Sequence, residues 1–206
     1  DYPDGGLGVR AQNRGFIMPR VVTGKFRGAI LQTPKGDKTR PTTDKVKEAL
    51  FSIIQGIVPD SEFLDLCAGS GQIGIEAVSR GAVRATLIDK GSEPAKIITA
   101  NLAKLHMQDS EQFRFCRLGI IPALEMFASK GEKFDIIFMD PPYRLVPELA
   151  SQAAAVITSG HLLNENGLFI VEHSNEEPPD ISNIDLTYLR SCSYGLTVIT
   201  FFKNIC

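Results

Sequence analysis

Apolar positions along this chain fall into short continuous runs separated by stretches of helical spacing. Residues 63–67, 85–88, 113–116, 134–139 and 168–172 are runs of strand length. Continuous apolar runs this short suit parallel strands buried on both faces. Between them the period changes. After a break at Ala68-Gly69-Ser70-Gly71, Ile73, Ala77 and Val78 recur at helical intervals, and Gly81 is a stop. Residues 92–106 carry Ile97, Ile98, Leu102 and Leu105 on one face, with Ser92 as cap and Pro94 in the first turn. Residues 120–129 turn Leu124 and Phe127 inward, and 147–157 read as an alanine-rich helix stopped near Gly160. An Asn166-Gly167 turn precedes the fifth strand. The last two runs, 186–189 and 197–202, flank a Ser-Tyr-Gly turn and predict an antiparallel pair at the sheet's edge. The whole predicts an α/β fold: a mostly parallel seven-stranded sheet with helices on both faces.

The first quarter of the chain reads differently. Residues 1–17 are polar and glycine-rich without periodicity, the composition of a tag or disordered tail, with Met18 as a natural start. Residues 20–23 and 29–32 are short β-like runs. Gly24 and Gly28 bracket Lys25-Phe26-Arg27, which predicts a hairpin with a basic, aromatic tip. Residues 33–41 have turn composition. A helix is expected after Thr42 or Thr43, with Asp44 in its first turn, a stripe of Val46, Leu50, Ile53 and Ile54, and an end at Gly56. Lys45 and Lys47 lie off that stripe. The expected division is thus 18–56, a basic hairpin and helix, and 57–206, the alternating domain.

Length and composition narrow the classes. A chain of 206 residues holds one sizeable core, with or without a small appendage. No apolar run approaches the roughly 18 residues of a membrane span, and the N-terminus lacks a secretory apolar segment, so a cytoplasmic protein without a membrane partner is expected. Cys67, Cys116, Cys192 and Cys206 lie far apart, a pattern of reduced thiols rather than of a zinc site or disulfide framework. Net charge is −2, which argues against a uniformly basic nucleic-acid binder. Its distribution matters more. Between Arg20 and Lys47 eight basic residues face only Asp37 and Asp44, a local balance of +6 against −8 for the remainder. A basic arm on an acidic body suits a phosphate backbone, and the alternative is a solvated charged face.

Two stretches carry candidate chemistry. Strand, glycine turn and helix at 63–78 form the shape of a nucleotide-binding crossover, although an ordinary tight turn has the same outline. Gly69 and Gly71 allow positive φ and close ligand approach, and Asp65 lies near the strand's carboxyl end. Asp89 ends the next strand about 20 residues later, where an acid can accept from ribose hydroxyls. The second stretch is Asp140-Pro141-Pro142-Tyr143, at the end of the fourth strand. Two prolines stiffen the loop and remove its N–H donors. The Asp140 carboxylate and Pro141 carbonyl can then accept both hydrogens of a planar exocyclic amine. Tyr143 offers a stacking face worth about 1–3 kcal/mol per base. Two acceptors favour the pyramidal, reactive form of an amine whose lone pair is otherwise shared with its ring. A rigid connecting loop is the bland alternative.

FLDLCAGSGQIGIEA, the acidic strand end at Asp89 and DPPY resemble class I S-adenosylmethionine-dependent methyltransferases that act on exocyclic base amines. The opening VVTGKFRGAILQTPKG…TRPTTDKVKEALFSII and the ending SCSYGLTVITFFK are similar to the RsmD-type enzymes, which methylate the exocyclic amine of a guanine in bacterial 16S ribosomal RNA. The resemblance spans residues 18–203. It implies a Rossmann-like methyltransferase fold, S-adenosyl-L-methionine as cofactor and no metal. The implied partner is 16S RNA or an assembling small subunit, and nothing demands more than a monomer. It implies further that Asp65, Cys67, Gly69, Ser70 and Gly71 line the pocket for the methionine part. Asp89 would hold the ribose, with Lys90 beside the adenosine. Arg117 and Leu118 would flank the adenine, although Leu118-Gly119 departs from the acid or amide frequent there. Arg40, Thr42 and Thr43 match the family's block near the cofactor and the RNA entrance. Asp140, Pro141, Pro142 and Tyr143 would form the catalytic loop. The RNA-facing candidates of the basic arm are Arg20, Lys25, Arg27, Lys38, Arg40 and Lys47. Leu196 stands where an acid often follows Tyr-Gly.

Rival readings are an adenine amino-methyltransferase acting on DNA, a protein glutamine methyltransferase, and a non-catalytic RNA-binding module. Against the first stands the lack of a separate DNA-recognition domain, and against the second Asp140 where Asn is typical. Calorimetry with S-adenosylmethionine separates the third. His106, His161 and His173 are isolated without metal-ligand spacing. Cys67 reads as a small buried residue rather than a reactive thiolate. Glu172 is a candidate for the cleft, and Phe26 either stacks on RNA or packs against the body.

Overall fold

The computed structural model describes residues 19–34, 43–180, 182 and 186–204. Seven strands form one sheet: β1 (Glu62–Asp65), β2 (Arg84–Ile88), β3 (Phe113–Cys116), β4 (Phe134–Met139), β5 (Leu163–Ser174), β6 (Thr187–Tyr194) and β7 (Thr197–Lys203). Their order is β3-β2-β1-β4-β5-β7-β6. The first five are parallel, and β7 and β6 complete the edge antiparallel. The expected seven-stranded, mostly parallel sheet with an antiparallel C-terminal pair is what forms.

Strand side chains alternate between two apolar layers because successive Cβ atoms point to opposite faces. Phe63, Ile136, Phe138 and Phe201 enter one layer beneath α1 (Asp44–Ile53), α2 (Gln72–Ser79) and α3 (Ser92–Lys104). Leu64, Ile137, Met139 and Phe202 enter the other beneath α4 (Ile120–Ser129) and α5 (Val146–Ser159). Both faces of the sheet are therefore dry, as continuous rather than alternating apolar runs require.

Some boundaries differ from the sequence-based expectation. Strand β5 starts at Leu163, and Asn166-Gly167 lies inside it as an irregularity, with Asn166 at φ 64° and a register shift in the pairing with β4. Gly91 rather than Ser92 is the cap of α3. Thr43 does cap α1, its hydroxyl accepting from the Val46 N–H at 3.4 Å. The N-terminal hairpin forms as a short one: the Val21 N–H donates to the Ala29 carbonyl at 2.9 Å, the Gly28 N–H to the Val21 carbonyl at 2.8 Å and the Leu31 N–H to the Pro19 carbonyl at 2.8 Å, with Arg20 and Ile30 paired as an antiparallel bridge. Val21 and Leu31 enter the first apolar layer, so residues 19–34 share the core of the sheet. Phe26 packs against that layer too, which settles its role on the packing side.

Candidate active site

The strand order reverses between β1 and β4, since β1 leads outward to β2 and β4 leads the other way to β5. Loops leaving the carboxyl ends of these two strands diverge and open a crevice, the usual ligand site of open α/β sheets. Register brings the two loops together. Asp65 pairs with Phe138, and the Leu66 N–H donates to the Phe138 carbonyl at 2.9 Å. Cys67 and Asp140 then leave the sheet side by side, joined by a backbone hydrogen bond from Asp140 to the Cys67 sulfur.

On the β1 side the chain turns over Gly69 and Gly71, at φ 53° and 80°, values that a side chain would strain. The Gly71 N–H closes the turn on the Ala68 carbonyl at 2.6 Å, and Gly71 caps α2. A Cβ built on Gly69 meets nothing nearer than the Cys67 carbonyl at 3.9 Å, so the space above the turn is open. Gly74 does different work: a Cβ there would lie 2.2 Å from Leu87 Cδ2, so its absence lets α2 lie directly on β2. The spacing of Gly69, Gly71 and Gly74 is the G-x-G-x-x-G pattern. The sequence contains that signal in full, and the sequence-based expectation drew only on its first two members.

Two carboxylates face this turn with different environments. Asp89 is tied on both oxygens, Oδ2 accepting from the Gly69 N–H at 3.0 Å and Oδ1 from the Gly91 N–H at 2.8 Å. It thereby fixes the glycine turn to the end of β2. Asp65 is 1% exposed, its Oδ1 accepts from the Cys67 N–H at 3.3 Å, and its Oδ2 has no hydrogen-bond partner in the protein. Burial pushes its carboxyl up to about 7, the Cys67 and Gly74 amides oppose the rise, and the Asp140 and Asp89 carboxylates add to it. A buried acceptor without a donor, beside open space and two other carboxylates, is suited to a cationic ligand group. Burial likewise raises the Cys67 thiol well above its usual value, with Asp140 and Asp65 adding to the effect. Cys67 is therefore a neutral wall of the site.

On the β4 side Pro141 is buried, Asp140 and Tyr143 are half-buried and Pro142 is exposed. Tyr143 opens a short 3-10 turn, Tyr143–Leu145, that leads into α5. Its hydroxyl lies 3.3 Å from Thr197 Oγ1, which anchors the ring's far end to β7. The β6–β7 turn thus borders the Asp140-Pro141-Pro142-Tyr143 loop. Glu172 is buried within β5. His173 is a packed core residue, its Nε2 2.8 Å from Thr200 Oγ1 and its Nδ1 2.8 Å from the Ser174 carbonyl, and burial lowers its pKa. Among the described residues, no group of three or more His, Cys, Asp or Glu is placed to hold a metal.

Lys90 and Arg117 are exposed past the ends of β2 and β3, with Arg117 Nε donating to the Lys90 carbonyl at 3.3 Å, and Leu118 packs against the second apolar layer. Ser70 is buried, its carbonyl accepting from Asn101 Nδ2 at 2.8 Å. The Thr43 hydroxyl is occupied by its helix cap. Lys38, Arg40 and Thr42 lie outside the described residues.

One of the basic-arm assignments needs correction, and two others lie away from the crevice. Lys47 is fully buried, its Nζ bonded to the Arg20 carbonyl and 3.7 Å from both Glu76 and Asp44, so it cannot reach a phosphate. Burial lowers its pKa, opposed by Glu76 and Asp44. Lys25 and Arg27 are exposed at the opposite end of the sheet. The Lys25 N–H donates to the Ser79 carbonyl at the end of α2, and its Nζ reaches Gln112, just ahead of β3. That is the edge where the strands begin, opposite the crevice. Arg20 is exposed but paired to Asp44 at 3.0 Å.

Two buried polar residues that sequence reasoning missed hold the N-terminal segment in place. Glu76 accepts from the Val22 and Thr23 N–H groups at 2.8 and 3.0 Å and from Arg80 Nε at 2.8 Å. Asn101 pairs with Gln32 as a strand would, accepting its N–H at 2.8 Å and donating to its carbonyl at 3.0 Å while bonding Ser70. The only signal was a polar residue interrupting an apolar helix, a weak one where the partner is distant in sequence.

The family described as Conserved hypothetical protein 95 matches residues 19–203. Over 186 residues the chain is 35% identical to YlbH of Bacillus subtilis, covering 90% of this chain and 98% of that one. It is 31% identical over 185 residues to the ribosomal RNA small subunit methyltransferase D of Haemophilus influenzae, covering 90% and 93%. The solved structure of yhhF from Escherichia coli superposes with a TM-score of 0.75 at 29% identity, covering 91% of this chain and 98% of that one.

Proposed function

We propose that this chain, which belongs to the Conserved hypothetical protein 95 family, transfers a methyl group from S-adenosylmethionine to the exocyclic amine of a guanine in 16S ribosomal RNA. The observation that carries this reading is the juxtaposition at the strand-order reversal: the open glycine turn with Asp65 and Asp89 on one side, Asp140-Pro141-Pro142-Tyr143 on the other.

The residues fit the cofactor. Asp65 Oδ2, buried and without a donor, suits the ammonium of its amino-acid end. Gly69 leaves room for close approach, Asp89 suits the ribose hydroxyls, and Leu118 gives an apolar wall near the adenine. When bound, the cofactor supplies an activated methyl group on a sulfonium. The chain's own task is to present the amine. Asp140 and the Pro141 carbonyl accept its hydrogens, Tyr143 stacks on the ring, and the Thr197 contact stops that ring from swinging away. Holding a reactant in this way is catalysis by positioning and exclusion of water. A base edge inside a duplex is out of reach, so the guanine must leave its stack.

Small subunits from cells lacking this activity, incubated with the protein and methyl-labelled cofactor, should acquire label on a guanine. Asp140→Ala should lower turnover by about 100-fold or more while S-adenosylhomocysteine still binds in calorimetry. Absence of label with the wild type, or near-normal turnover by the variant, overturns the reading.

A further inference from the structure

The turn between β6 and β7 lies at the crevice end of the sheet, since Thr197 pairs with Ser174 at the end of β5. It is tightly held. Gly195 supplies the positive φ of 67°, and Asn175 donates from its backbone to the Leu196 carbonyl and from Nδ2 to the Gly195 carbonyl, both at 3.2 Å. The next residue, Thr197, meets the Tyr143 hydroxyl. This pinned turn holds Leu196 out in water at 63% exposure, the largest value among the exposed large hydrophobics of the described residues. A lone exposed leucine is ordinary. One fixed rigidly beside the residue that is to stack on an extruded base is not. Across Tyr143, Arg144 and Leu145 are exposed as well.

We propose that Leu196 is a wedge that occupies, in the RNA stack, the place of the guanine drawn into the crevice. Apolar side chains inserted between bases compensate part of the stacking that disappears when a base leaves. The occupant of this surface is RNA because the turn and the catalytic loop share a hydrogen bond: whatever covers Leu196 also covers the mouth of the crevice. Arg144 beside it supplies the positive charge a polyanion requires. The proposal rests on the methyl-transfer reading and adds the group that makes extrusion favourable.

The test compares wild type, Leu196→Ala and Leu196→Met on two substrates: protein-free folded 16S RNA, and a short single-stranded oligonucleotide spanning the labelled guanine. Leu196→Ala should lose about tenfold in kcat/KM on folded RNA and less than about twofold on the oligonucleotide, whose base is already unstacked. Leu196→Met should restore the folded-RNA rate, and cofactor binding should be unchanged in both variants. Equal losses on the two RNAs overturn the wedge. So does a loss seen with assembled subunits but not with protein-free RNA, which would mark Leu196 as a contact for a ribosomal protein. If the wild type labels subunits but neither RNA, extrusion depends on the assembled particle and the wedge alone is overturned; if it labels no subunits either, the methyl-transfer reading itself fails and takes the wedge with it.

Discussion

Asp65 meets opposing demands. Buried with an unpaired oxygen and pushed up to about 7, it is protonated across the mildly acidic range in the protein but ionised there in the unfolded chain. The unfolded state therefore binds fewer protons between the ordinary value of 3.8 and about 7. Stability of the ligand-free protein falls through that window as pH rises, by up to roughly 1.4 kcal/mol per unit, and levels off above it. An ammonium ligand prefers the carboxylate, so its affinity should move the other way: S-adenosylhomocysteine should bind up to about tenfold more weakly for each pH unit below 7. Asp65→Asn should remove this pH dependence, weaken binding at pH 8, and raise the melting temperature of the ligand-free protein at neutral pH. Calorimetry and thermal unfolding at several pH values read all three. The place of Asp65 at a strand's carboxyl end, beside the crevice, was legible in the sequence. The burial of Lys47 was not. Helical periodicity identifies one apolar stripe, and the neighbour that covers a second side of α1 comes from residues 19–23, where no local pattern announces it.

At the scale of elements, the junction between the N-terminal segment and α2 turns on one carboxylate. Glu76 receives two backbone amides, Arg80 and the buried Lys47. Removing it strands a buried ammonium and two donors, so Glu76→Ala should cost about 3–5 kcal/mol. Lys47→Met keeps the length of the side chain and leaves Glu76 with three N–H donors, so it should cost less than about 2 kcal/mol. Urea unfolding measures the difference, and hydrogen exchange at Val22 and Thr23 should quicken only in the Glu76 variant. The tip has its own constraint. Gly24 is at φ 87°, and a Cβ there would lie 1.7 Å from the Ser79 carbonyl oxygen. Gly24→Ala should therefore detach residues 24–28 from the end of α2, visible as faster exchange of the Lys25 amide, whose bond to Ser79 is broken. The strands and helices after residue 62 were readable because each carries its own apolar period. The N-terminal stretch has only two short runs and a few hairpin bonds, and Asn101 and Glu76, distant in sequence, tie it to the body.

For the whole molecule, parallel crossovers fix which end of the sheet is the working end. A reversal of strand order opens a crevice at the strands' carboxyl ends, and both candidate loops were assigned to it from their positions at strand ends. Net charge by segment could not supply the same information. The basic excess of residues 20–47 suggested a single gripping arm, yet the folded chain spreads it between a buried amine, the far edge of the sheet and a stretch beyond the described residues. The cations displayed beside the crevice come instead from loops that sequence analysis treated as parts of the cofactor site or passed over: Lys90, Arg117 and Arg144. Each phosphate-binding cation releases about one counterion, so removing one should lower the salt slope of RNA binding by about one. Arg144→Ala should thus reduce that slope, measured by filter binding between about 50 and 200 mM salt, by about one. The double variant Lys25→Ala/Arg27→Ala removes two charges from the opposite edge and should leave the slope unchanged. If the double variant flattens the salt dependence and Arg144→Ala does not, RNA approaches from the end where the strands begin, and the crevice loses its claim to the substrate.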